Sequence, residues 1–207
     1  MRCTVSVLLL AAISILDAQA AVAQVDPRAD SYYLYCLGRR YEMEGREDLS
    51  ISNYEQAIEK DPTAAYPRLA LAELLAKRDR DEEAIGAARR ALELDPELAD
   101  AHRLIGNLYI RQARVEGDTS LADAAIGELR EAVRLDPTDG ETRQRLAELL
   151  LIKGDAEEAT DQLEKLIEVS PDSYYALYRL AQIRQEEGDA ERSDKGDVRR
   201  ALELYEE

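Results

Sequence analysis

Four prolines, Pro62, Pro96, Pro137 and Pro171, are separated by 34, 41 and 34 residues, and each closes a similar run: AIEKDP, ALELDP, AVRLDP and LIEVSP. A period of 34 is the length of one helix–turn–helix unit. A single hairpin of this size cannot bury its own apolar face, so the pattern calls for stacked neighbours rather than one central core. Setting each proline at repeat position 32 starts the repeats at Ser31, Ala65, Ala99 and Gly140, and leaves the third repeat seven residues too long.

In this register, positions 4, 7, 8 and 11 form one stripe at helical spacing on a first helix, A. Positions 20, 24 and 27 form another on a second helix, B. Repeat one carries Leu34, Leu37, Gly38, Tyr41, Ser50, Tyr54 and Ala57; repeat two carries Arg68, Leu71, Ala72, Leu75, Ala84, Ala88 and Ala91. Repeat three carries His102, Ile105, Gly106, Tyr109, Ala125, Leu129 and Ala132; repeat four carries Arg143, Leu146, Ala147, Leu150, Ala159, Leu163 and Leu166. Gly or Ala at position 8 lets the two helices approach closely. Proline at 32 follows helix B, which it cannot continue. A fifth unit runs on through Tyr174, Leu177, Leu180 and Ala181, and a second helix is rebuilt around Val198, Ala201, Leu202 and Leu204. The extra residues of the third repeat fall between its helices, around Arg114 to Thr119, and read as a surface insertion, with Ser120 and Asp123 as a candidate cap for the delayed helix.

This pattern resembles the tetratricopeptide repeat family over residues 31–207, with departures at position 4, where Arg68, His102 and Arg143 replace the usual Trp or Leu. The expected fold is all-α: a right-handed superhelical solenoid of repeats at about 31–64, 65–98, 99–139, 140–173 and 174–207.

The amino terminus has a different character. Arg2 precedes an apolar run from Val5 to Leu16, and Ala18-Gln19-Ala20 and Ala21-Val22-Ala23 follow at the spacing of a secretory cleavage site. Residues 1–23 read as a signal peptide cleaved after Ala23, or else after Ala20, and 24–30 as a short linker. The apolar run is short for a bilayer span, so no stable membrane span is expected after cleavage. Cleavage removes Cys3 and leaves Cys36 without an internal disulfide partner. Cys36 reads as small helical filler, or, if exposed, as a reactive thiol with Arg39 and Arg40 within a turn. The expected location is exported, periplasmic or extracellular, with a bacterial envelope favoured.

Chemistry is thin along the rest of the chain. With one His, His102 on the helix A stripe, metal and triad arrangements have little to draw on, and a packed structural histidine is the expectation. The pairs Glu82-Glu83 and Glu157-Glu158 read as solvated turns, and neither a phosphate loop nor a calcium loop is present. No catalytic residue, cofactor or metal is expected. A net charge of −17 argues against nucleic acid as the partner.

Function must then come from a surface. The resemblance implies a concave groove lined by positions 2, 5, 9, 12 and 13 of helix A. Carried over by register, the partner-binding candidates are Tyr32, Tyr35, Arg39, Tyr66, Leu69, Lys77, Arg103, Asn107, Arg111, Gln144, Tyr175 and Tyr178. Tyrosine suits such a face because it offers area and a hydroxyl at low entropic cost; Tyr32, Tyr35 and Tyr66 are expected to form one aromatic patch beside Arg39. One branch of the family clamps a peptide carboxylate at positions that here hold Arg103, Asn107, Arg145, Tyr175 and Arg179; Arg145 and Tyr175 depart from its pattern. The expected function is a non-enzymatic scaffold or adaptor of the cell envelope for a protein or peptide partner. Two alternatives stand beside it: an accessory binding domain of a longer exported enzyme, and a structural solenoid self-associating through residues 197–207, whose last helix shows apolar residues at the carboxyl edge.

Overall fold

The structure, a computed structural model, describes residues 26–117 and 119–186. The signal peptide, the second helix of the fifth unit and the 197–207 edge lie outside the described residues. The described residues form helices and turns: α1 (Pro27–Met43), α2 (Glu47–Lys60), α3 (Ala65–Lys77), α4 (Asp81–Leu94), α5 (Ala99–Glu116), α6 (Thr119–Leu135), α7 (Gly140–Lys153), α8 (Ala156–Val169) and α9 (Tyr174–Glu186). The chain divides into two compact units at Leu71/Ala72, within α3. In the first, α1 packs on α2; in the second, α4 packs on α5, α5 on α6, α6 on α7, α7 on α8, and α8 on α9. Packing between sequence neighbours is the topology of a helical repeat solenoid.

Helix ends follow local chemistry. Helix B closes at Lys60, Leu94 and Val169, and the next residue, Asp61, Asp95 or Ser170, turns to extended backbone with φ of −131°, −141° and −135°. Each of these precedes a repeat proline, whose ring disfavours the helical region for the residue before it. The Asp61 carboxylate then accepts from the backbone N–H and the hydroxyl of Thr63, at 2.9 and 2.6 Å, and Asp136 does the same with Thr138 at 3.0 and 2.6 Å. These Asx turns hold both aspartates below the usual carboxylate range, first through the threonine hydroxyl and then through its N–H.

The turn from helix A to helix B needs a left-handed residue at position 15. Gly45 and Gly154 supply it with φ of 71° and 88°, and in repeat two Asp79 takes it at φ 56°. A Cβ in that region is strained, and the Asp79 side chain is largely exposed. Asp79→Gly is expected to raise stability by about 0.5 kcal/mol, because relief of the strain exceeds the worth of an exposed contact; urea denaturation checks the sign.

Close helix approach is enforced at position 8. A Cβ on Gly38 would meet the Tyr54 ring at 2.5 Å, and one on Gly106 would meet Leu129 at 2.9 Å. The partners at positions 20, 24 and 27 are buried throughout: Ser50, Tyr54 and Ala57; Ala84, Ala88 and Ala91; Ala125, Leu129 and Ala132; Ala159, Leu163 and Leu166.

Three expectations need correction. The linker does not extend to residue 30: α1 begins at Pro27, with Asp26 as N-cap accepting from the Arg28 N–H. Proline at the first helical position after an aspartate is a start signal. The extra residues of repeat three, where described, lie at the surface but are not an insertion set between the helices. They lengthen α5 to Glu116 and start α6 at Thr119, with left-handed Gly117 (φ 70°) closing α5. Ser120 and Asp123 therefore lie inside a helix rather than at its cap. Cys36, expected as packing filler, is exposed on α1.

The three polar residues at position 4 are held by hydrogen bonds. The Arg68 guanidinium donates to the Ala64 carbonyl at 2.7 Å. His102 Nδ1 lies 2.7 Å from Glu128 Oε2, and Arg143 donates to Gln162 Oε1 at 2.9 Å and to the Pro137 carbonyl at 2.7 Å. Glu128 and Gln162 occupy equivalent places on helix B, so repeats three and four share one polar tie across the hairpin. His102 is a hydrogen-bonded packing residue.

Candidate functional site

In the first unit, Tyr32 and Tyr66 turn their rings to solvent, at 69 % and 58 % exposure. Tyr35 is half-buried, its ring centroid 6.0 Å from that of the core residue Tyr54. Arg39 is exposed and donates to Glu42 at 3.1 Å. The Tyr32 hydroxyl is pushed up in pKa, chiefly by its hydrogen bond with Cys36. Leu69 departs from the expectation: it is 6 % exposed and belongs to the interior. Position 5 lies at the border between the exposed face and the core. A short apolar chain there tucks inward, whereas the arginine at the same place in repeat three reaches out.

In the second unit, α3 and α5 frame a cleft of about 490 Å³ lined by Glu73, Ala76, Lys77, Asp100, Arg103 and Asn107, with Arg111 at its end. Four of the expected candidates, Lys77, Arg103, Asn107 and Arg111, therefore meet at one place. Their cations are not equivalent. Arg103 is bonded to Asp100 at 2.5 Å and lies 3.6 Å from Asp139. Burial pulls the Arg103 pKa down, but the hydrogen bond and charge of Asp100, joined by Asp139 and Glu141, leave it raised. Arg111 is a structural staple. It donates through Nε to Asp81 at 2.6 Å and through its terminal nitrogens to Asp81, to Asp79 at 3.3 Å and to the Ala76 carbonyl at 3.2 Å. Its guanidinium ties α5 to the start of α4 while lining the cleft. Nothing in the spacing of the sequence showed that Asp81 would meet it.

A second cleft, of about 440 Å³, lies between α5 and α7; Asn107 and Arg111 line both clefts. The face continues along α7 and α9. Gln144 donates to Glu148 at 3.1 Å. Tyr175 is half-buried, and burial, with the Glu148 charge added, pushes its hydroxyl up in pKa against the opposing effect of Arg179. Tyr178 is exposed, stacks on Tyr174 with centroids 5.7 Å apart, and accepts from Gln182 at 2.8 Å.

Hydrogen-bond satisfaction singles out part of this face. Among the described residues, four buried side-chain polar atoms have no partner: Asn107 Oδ1, Tyr175 Oη, Arg179 Nε and Arg143 Nε. Buried polar groups are nearly always paired, and an orphan costs about 1–3 kcal/mol. Three of the four belong to residues named for the groove or the clamp: Asn107, Tyr175 and Arg179. No group of His, Cys, Asp and Glu that would hold a metal is found among the described residues, and no described helix is long and apolar enough to cross a membrane.

Profiles of the tetratricopeptide repeat match residues 35–99 and 121–178. Among curated proteins, tetratricopeptide repeat protein 37 of Xenopus laevis is 27 % identical over 179 residues, covering 79 % of this chain and 10 % of the relative. The human protein O-mannosyl-transferase TMTC1 is 25 % identical over 181 residues, covering 71 % of this chain and 20 % of the relative. The chain thus spans a fifth or less of the curated relatives it matches. Among solved structures, MamA superposes with a TM-score of 0.66 at 21 % identity, covering 82 % of this chain and 94 % of that one. YrrB, described as having an unusual peptide-binding site, superposes with a TM-score of 0.68 at 18 % identity, covering 90 % and 91 %. At these identities the superpositions speak to the fold.

Proposed function

The chain belongs to the tetratricopeptide repeat family, and on that footing we propose that it is a non-enzymatic adaptor of the cell envelope that holds a partner peptide along its helix A face. The repeats make it a protein-interaction scaffold. The orphaned polar atoms carry the finer reading. Asn107 Oδ1 is an acceptor suited to a backbone N–H of the peptide, and Arg179 Nε is a donor suited to a carbonyl or carboxylate; the Tyr175 hydroxyl already meets Arg179. A bound peptide would satisfy groups that cost stability while they stand alone. The peptide-binding site in the description of YrrB supports the same direction. Export, to the periplasm or the extracellular space, rests on the amino-terminal pattern of residues 1–23.

A second reading has its own support. One curated relative is a transferase of which the chain covers a fifth, so the same face would serve as the accessory binding domain of a longer enzyme. A reading frame continuing past Glu207 into a catalytic domain would favour it.

The test is capture from the periplasmic fraction of the native cells with the full-length chain as bait, read by mass spectrometry. The bait recovered from that fraction should begin at Gln24. Asn107→Ala and Arg179→Ala should each weaken the captured partner by about 1–2 kcal/mol without lowering the melt, since each also removes an unpaired buried atom. Capture that neither substitution alters would remove the groove, and an intact Met1 recovered from the cytosol would remove the envelope.

A further inference from the structure

The extra turn of α5 has a consequence for the cleft between α5 and α7. Helix A ends at Met43, Lys77 and Lys153 in repeats one, two and four, but α5 runs on to Glu116. That added turn brings Val115 to the wall of the cleft, opposite Ile152 at the end of α7. Both are aliphatic, and they are 82 % and 83 % exposed; among the described residues Met43, at 89 %, is the one large hydrophobic that is more exposed. Ile110 and Leu149 line the same cleft. An apolar pair left this open in water gains from any group that covers it.

The charge lining this cleft runs against the rest of the chain, although the other side of Val115 looks onto Asp79, Asp81, Glu82 and Glu83. The lining residues include Arg111, Arg114 and Arg145 and one acid, Glu148, in a protein of net charge −17. Arg111 is held by Asp81. Arg145 is held by Glu141 at 2.8 Å, an exposed pair one helical turn apart that a partner carboxylate can replace at little cost. Arg114 is exposed at the end of α5.

We propose that this cleft seats one large apolar side chain of an acidic partner segment, lodged between Val115 and Ile152, with flanking Asp or Glu residues meeting Arg114 and Arg145. The proposal rests on the groove reading above and deepens it: the seven-residue excess of repeat three builds a specificity pocket at one end of the helix A face. The occupant is a peptide segment of another protein. A second copy of this chain is the competing occupant.

The test uses a random 12-residue peptide library displayed on phage and panned against the immobilised full chain. The expected consensus is Leu, Ile or Phe flanked by Asp or Glu. A synthetic peptide of that consensus, followed by fluorescence anisotropy, should bind the Val115→Ser/Ile152→Ser double variant at least tenfold more weakly. It should also weaken several-fold with Arg114→Glu and with added salt. Both apolar residues are exposed, so the melting temperature of the double variant should match that of the parent. An absent consensus, a neutral or basic one, or an affinity indifferent to the double variant would overturn the proposal. So would a dimer in sedimentation that Ile152→Ser dissolves, since the occupant would then be a second copy. Binding lost with Asn107→Ala but kept in the double variant overturns the pocket alone; binding indifferent to both overturns the groove as well.

Discussion

Tyr54→Ala is expected to cost about 3–5 kcal/mol, the range for truncating a fully buried aromatic ring. Tyr54 has no exposed surface, and its ring fills the space where α1 and α2 meet. Gly38 is the other half of that contact, since a Cβ there would stand 2.5 Å from the ring. Overpacking by Gly38→Ala should therefore cost about 1–3 kcal/mol. Backbone ties surround the ring: the Ser50 hydroxyl donates to the Gly38 carbonyl and the Ser31 hydroxyl to the Ala57 carbonyl, each at 2.8 Å. Circular-dichroism melts should show the part of the transition carried by residues 26–71 moving to lower temperature. A melt unchanged in Tyr54→Ala would contradict the packing described for this unit.

The same residue predicts an alkaline limit. Burial, helped by the Glu42 carboxylate that accepts from the hydroxyl at 2.9 Å and opposed by Ser50 and Arg39, raises the Tyr54 pKa from 10.0 to about 12. The protonated form is the one favoured in the fold. Its contribution is fully present below pH 10 and is lost as the pH rises toward 12. Tyr54→Phe keeps the ring and removes the titrating group. Its stability should fall less steeply than that of the parent between pH 10 and 12, as read by denaturation at fixed pH.

Local rules made most of the helical framework legible. The proline register placed repeat starts at Ala65, Ala99, Gly140 and Tyr174, and helices begin at those residues. That agreement has a near-neighbour cause: the residue before each repeat proline is driven out of the helical region. The two misplaced boundaries were also written locally. Asp26-Pro27 is a cap followed by a first-turn proline, and Arg114-Val115-Glu116 contains nothing to stop a helix before Gly117. The candidate face was less legible, because its residues are decided across helices. Whether Leu69 faces a groove or the core depends on how far its side chain reaches at a border position. Arg111 is committed to Asp81, 30 residues away, a pairing visible once α4 and α5 are packed. The exposed pair Val115 and Ile152 exists because an insertion became helix, and periodicity within one repeat carries no sign of it.

Arg143 tests the polar exception at position 4. Its side chain is 4 % exposed, its two hydrogen bonds go to neutral acceptors, Gln162 and the Pro137 carbonyl, and its Nε has no partner. A buried guanidinium held by neutral groups is costly. Removing it crudely costs more: Arg143→Ala opens a cavity and strips Gln162 and Pro137 of their donor, with an expected loss of about 3 kcal/mol. Replacing both ends of the tie reverses the sign. Arg143→Leu with Gln162→Leu restores the apolar residue that the resemblance places at position 4 and removes the polar side chain facing it. The double variant is expected to be about 1–3 kcal/mol more stable than the parent, as when buried ionic groups give way to hydrophobic ones of similar volume. Urea denaturation of the parent, Arg143→Ala and the double variant measures all three. If the double variant is as unstable as Arg143→Ala, the arginine is a net contributor to the packing of α7 on α8, and the polar tie shared with His102 and Glu128 is a stabilising device of these repeats rather than a tolerated departure.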